Sequence, residues 1–243
     1  MSLPSAVRAA AARRQRRSGF LYLAASLAFF ALVVWTFART YYLKALFHTP
    51  ALSSLLHVHA VVMTGWVVLL VVQTGLVSIR RVPWHRRIGV FGAGWGALVV
   101  ALGTVTTIAA GAREVRHHTR AAPGQVAIMG LDLLQMLFFA VFVAAAVAWR
   151  RRPDIHRRLM LLTIACMLPD ALARLPVSFM TNGLILAGLD LFLIGCVATD
   201  TIRHRRLHPA FGWGAGSFIV AFHVALLGVM TPAWIRFATR MLE

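Results

Sequence analysis

Seven stretches of roughly twenty apolar residues, approximately 19–39, 54–79, 87–111, 126–149, 158–180, 183–202 and 211–235, dominate the chain. Each is as long as a helix must be to cross the hydrocarbon core of a bilayer. Water is absent there, so every backbone N–H and C=O has to be paired within its own segment, and long continuous apolar runs answer that demand as helices. At 243 residues and 60% hydrophobic, the chain carries more apolar surface than a soluble domain of its size hides. The expected fold is all-α: a polytopic transmembrane bundle of seven helices. Only Thr181 and Asn182 separate the fifth run from the sixth, enough for a tight helical hairpin.

A formal charge of +18 suggests a nucleic-acid binder until its distribution is considered. The arginines fall between the apolar runs, and no soluble domain exists to present them to a nucleic acid. One set of ends, residues 8–17, 80–87, 150–158 and 203–206, holds seventeen of the 25 basic residues. The opposite set holds seven, namely Arg39, Lys44, Arg113, Arg116, Arg120, Arg236 and Arg240, and Arg174 lies inside the fifth run. By the positive-inside rule the N-terminus is cytoplasmic and the C-terminus outside. Residues 1–18 then form a basic cytoplasmic tail that contacts lipid, and residues 19–243 the membrane domain. Cys166 and Cys196 both lie in apolar runs and build neither a disulfide framework nor a C-x-x-C motif. The only lysine, Lys44, is in an outer loop, which excludes a retinal protein, and the glycines at 89, 92, 94 and 96 lie within a span rather than after a soluble strand.

The three cytoplasmic loops repeat one another: "IRRVPWHRRIG", "WRRRPDIHRRLM" and "IRHRRLHPAFG" each join an arginine cluster, a proline and a histidine at the start of the next helix. The chain reads as one leading helix followed by three hairpins. His85, His156 and His208 would form a ring on the cytoplasmic side, suited to an anionic ligand or cofactor, although anchoring on anionic lipid headgroups is the simpler account of such residues at a helix entry. "HVHAVVMTGWVVLLVVQTGLV…HRRIG", "DIHRRLMLL…LPDALARLP" and "TDTIRHRRLHPAFGWG" resemble a widespread group of uncharacterised bacterial multi-pass membrane proteins with paired H-R-R loops, over nearly the whole chain from Leu55 onward. The resemblance implies a bacterial cytoplasmic (inner) membrane protein and brings no activity with it. A looser likeness, histidine-bearing hairpins in a helical bundle, is to b-type cytochromes such as the cytochrome b561 class.

Ionisable groups at membrane depth are costly, and each is a functional-site candidate. Most fall in the outer half: His57 and His59, Asp132 and Gln135, Asp170 and Arg174, and Asp190, with His223 near mid-membrane. His57 and His59 project from nearly opposite faces. His59 shares its stripe with Met63, Trp66, Leu70 and Gln73, which makes it the better inward candidate, with His57 at the headgroups or against a neighbouring helix; spacing leaves open which of the two faces the bundle. Asp170 and Arg174 are spaced for a helical ion pair, flanked by Pro169 and Pro176. Gly212 and Gly216 form a small-x-x-x-small step whose face, carrying His223, is expected against the bundle. Gly92 and Gly96 form a second step.

Three intramembrane carboxylates against one arginine leave two acids to be protonated, paired with an imidazole or bound to a cation. Three functions fit. The first is haem b between His59 and His223 with Arg174 on a propionate. The second is a divalent-metal centre of His59, Asp132 and Asp190, although the spans that carry them hold no H-x-x-x-H and the chain no H-E-x-x-H. The third is a proton-coupled carrier using the carboxylates as a relay. Haem or metal binding is the leading expectation, with carrier and membrane scaffold as alternatives.

Overall fold

A computed structural model describes residues 5–117, 122–176 and 181–243, with side chains from Phe20 onward. Arg120 and residues 177–180, the end of the fifth expected span, lie outside the described residues. Nine α-helices are described: α1 Ser5–Thr36, α2 Ser54–Ser78, α3 Val82–Arg116, α4 Ala122–Ala148, α5 Pro153–Ala165, α6 Leu168–Leu172, α7 Asn182–His204, α8 Pro209–Val229 and α9 Pro232–Leu242. A π-helical turn, Ala38–Tyr42, follows α1. Among the described residues five helices, α2, α3, α4, α7 and α8, are long and apolar enough to cross a membrane, and the apolar part of α1, Phe20–Thr36, is shorter. The basic tail does not end before the first apolar run: the helix of α1 is continuous from Ser5.

The helix boundaries are written in proline and hydroxyl chemistry. Proline lacks an N–H and fits the first turn of a helix, where that donor has no partner. It occupies the first turn of α3, α5, α6, α8 and α9. Ser53, Thr181 and Thr231 cap α2, α7 and α9 by accepting from the N–H groups of Leu56, Leu184 and Trp234. Two expected spans are cut by the same chemistry. Pro169 would clash with the Ala165 carbonyl in a continuous helix. The fifth run accordingly breaks into α5 and α6, with Cys166 and Met167 between them. Pro232 ends the seventh run at Val229 and opens α9, an amphipathic helix that packs on α3 and α4.

Helix α4 is the hub, packing on α3, α5, α8 and α9. Trp66 of α2 meets Phe139 of α4 edge-on at 5.0 Å, and Phe138 meets Phe218 of α8 at 4.9 Å. A Cβ at Gly92 would come 3.0 Å from Leu69, and one at Gly96 would come 3.0 Å from Val143 and 3.2 Å from Trp66, so that step is a packing contact. The Gly212–Gly216 step is not: a Cβ at Gly216 meets nothing within 4 Å, and one at Gly212 meets only the nearby Leu207. The buried face of α8 runs instead through Phe211, Ala215, Phe218 and Phe222. Three aromatic rings fill more volume against α4 than a glycine groove would, and His223 is left beside that face with 42% of its side chain exposed.

Candidate functional site

The intramembrane polar residues form two groups. In the first, His59 of α2 feels the charges of Asp170 in α6 and of Arg174 just beyond it. Asp132 of α4 feels the same two, and Thr107 of α3 hydrogen-bonds to its carboxyl. Gln135, one turn along α4 and buried, donates Nε2 to Asp132 Oδ1 at 3.3 Å. Arg174 Nη1 lies 3.8 Å from Asp170 Oδ1, donates to the Asp170 carbonyl at 2.8 Å, and sits over the Phe37 ring at 4.7 Å. Polar atoms are left over: His59 Nδ1 and Gln135 Oε1 are shut off from solvent with no partner among the described residues. His57 is exposed and tilts against the Tyr41 ring at 5.8 Å.

The second group is a pair. His223 Nε2 of α8 faces Asp190 Oδ2 of α7 at 3.3 Å, and its Nδ1 is 2.9 Å from the Ile219 carbonyl. Asp190 Oδ1 has no hydrogen-bond partner among the described residues. His59 and His223 have different partners: the first feels Asp170 and Arg174, the second faces Asp190. The metal set fails for the same reason. Asp190 turns to His223 between α7 and α8, away from His59 and Asp132. Among the described residues no group of three or more His, Cys, Asp or Glu side chains gathers closely enough for a metal ion.

At the other end of the bundle the arginine-rich turns converge. His85 and His156 meet edge-on at 6.2 Å. Gln73, with its amide turned to suit its neighbours, donates to His85 Nδ1 at 2.6 Å and accepts from Gly89 N–H at 2.9 Å. His156 Nδ1 reaches the Ala146 carbonyl at 2.8 Å. His208 stands apart from the other two histidines in its partners. Its Nδ1 accepts from Ala210 N–H, which places the proton on Nε2, 3.3 Å from Asp154 Oδ2. Partial removal from water pushes the Asp154 carboxyl up, but the His208 bond and the N–H groups of Asp154 and Ile155 outweigh it and hold the group below the usual carboxylate range.

A buried two-bond ion pair also lies here, and helical spacing did not reveal it. Arg158 of α5 grips Asp200 of α7 with two parallel bonds, Nε to Oδ2 and Nη2 to Oδ1, each 2.8 Å. The side chains are 2% and 8% exposed. Nη1 of Arg158 donates to the Asp154 carbonyl, Phe211 lies beneath the guanidinium at 5.8 Å, and His204 Nδ1 is 2.8 Å from the Asp200 carbonyl. Two acids, Asp154 and Asp200, among so many arginines were the only signal in the chain.

Comparison with known proteins finds no matching family model, no matching curated protein and no matching solved structure. What can be said of function rests on the geometry.

Proposed function

We propose that the chain is a bacterial inner-membrane protein of seven crossings, with its arginine-rich end cytoplasmic, acting as a proton-coupled carrier through His59, Asp132, Asp170 and Arg174. Seven crossings follow if α5 and α6 jointly make the fifth. The α4–α5 and α7–α8 turns lie at one end, joined by Asp154 and His208, which supports a chain that leaves by α5–α6 and returns by α7. Tyr22 of α1 lies under Arg157 of α5 at 5.6 Å, at the same end. The seventeen-to-seven bias of basic residues supports the orientation.

The carrier reading rests on one arrangement: Arg174 lies 3.8 Å from Asp170, and the charges of that pair reach His59 of α2 and Asp132 of α4. A proton on the surplus acid neutralises the group, and its release or uptake couples to whatever occupies the unpartnered His59 Nδ1 and Gln135 Oε1. A broken helix at the site, α5–α6, is the kind of irregular backbone tolerated where it lines a protein interior. The test is infrared difference spectroscopy of the purified protein during a pH titration. A protonated-carboxyl C=O band that titrates, and that disappears in Asp132→Asn or Asp170→Asn, is expected. Its absence from the natural protein ends the reading. Haem ligation finds no support in imidazoles with different partners, and a dithionite-reduced minus oxidised spectrum is expected to be flat in the Soret region.

A further inference from the structure

We propose that the cleft between the α4–α5 and α7–α8 turns binds a phosphate group, held by Arg157, Arg206 and His204. Asp154, Arg157, Arg158, His204, Arg206 and His208 line a cavity of about 70 Å³. At roughly 10–15 Å³ for each water a cavity holds, that is room for a handful of waters, or for one tetrahedral oxyanion.

The charges sort themselves. Arg158 is fully committed, to Asp200 through Nε and Nη2 and to the Asp154 carbonyl through Nη1. It is scaffold, and it cancels Asp200. The single lining carboxylate, Asp154, is engaged by His208. Arg157 and Arg206 remain, and Arg157 Nε is shut off from solvent without a partner among the described residues. A buried charged donor left unmade is expensive, and a ligand oxygen is the cheapest remedy. His204 spends Nδ1 on Asp200 and keeps Nε2 for a further partner. Two guanidinium forks and an imidazole converging on a small volume match the several acceptor oxygens of a phosphate better than the two of a carboxylate. The phosphate belongs either to a soluble anion or to a lipid headgroup at the membrane face.

The full chain in an uncharged maltoside detergent is titrated calorimetrically with inorganic phosphate and, separately, with short-chain phosphatidic acid. Saturable binding of at least one is expected, about tenfold weaker in Arg157→Gln/Arg206→Gln, as loss of a charge-assisted bond implies. It stays unchanged in Arg80→Gln/Arg81→Gln at the neighbouring turn. Tighter inorganic phosphate assigns a soluble anion, and tighter phosphatidic acid a headgroup. Arg206 is exposed, so Arg206→Gln alone gives a folded partial variant if the double one unfolds. Absence of saturable binding, indifference to the cleft substitutions, or equal weakening by both pairs overturns the site.

Discussion

Arg158 and Asp200 carry two formal charges into a nearly dry environment, and such a pair is stable only while both members are present. Asp200→Ala strands the guanidinium and is expected to lower stability by about 3–5 kcal/mol, seen as a fall in the thermal midpoint in detergent. Arg158→Met with Asp200→Leu removes both charges at similar volume and should recover most of that loss. Asp154 gives a pH signature of the opposite kind. Its carboxyl is held below the usual range, partly by His208, so the stabilisation is present at neutral pH, above the unfolded carboxylate value, and lost as acid protonates the folded group. The difference in midpoint between the natural protein and His208→Phe should therefore shrink as pH falls through the carboxylate range. Constant separation would show that His208 acts by packing alone. Contacts between close neighbours in a helix were legible in the sequence: Asp170 with Arg174 was read from a four-residue spacing and is met at 3.8 Å. Arg158 and Asp200 are 42 residues apart, and no periodicity pairs them.

At the scale of the helix, apolar length and proline placement carried most of the information. The runs at 54–79 and 183–202 became α2 and α7 with little change, because capping Ser53 and Thr181 stand at their starts. The breaks before Pro169 and Pro232 were also present in the sequence, but hydropathy alone reads through them. Which face a helix buries was less legible. The glycine step of α8 looked like a contact, and the contact is made by phenylalanines on the adjoining face. A paired substitution tests this. A Cβ at Gly65 falls 2.5 Å from the Trp95 ring, which is pinned by its Nε1 bond to the Val62 carbonyl at 2.9 Å. Gly65→Ala should destabilise by about 1–3 kcal/mol through overpacking, whereas Gly216→Ala should be neutral or gain up to about 1 kcal/mol of helix propensity. Equal effects at both sites would restore the Gly216 face as an interface.

For the whole molecule, the α4–α5 and α7–α8 turns meet through Asp154 and His208, and the proposed orientation puts that end in the cytoplasm, which labelling tests. A cysteine at position 51, in the loop before α2, is expected to react with an impermeant maleimide on intact cells. One at position 151 should react only after permeabilisation. The reverse pattern would invert the orientation, and labelling of both from outside would remove a crossing. The Arg158–Asp200 clasp also has a consequence for biogenesis. The members are 42 positions apart, a stretch that takes a few seconds to synthesise at about 5–20 residues per second. A nascent chain arrested before Asp200 is therefore expected to hold α5 less firmly in the membrane than one arrested after α7. Any quality-control factor that recognises a half-inserted arginine has those seconds, and no longer, in which to act.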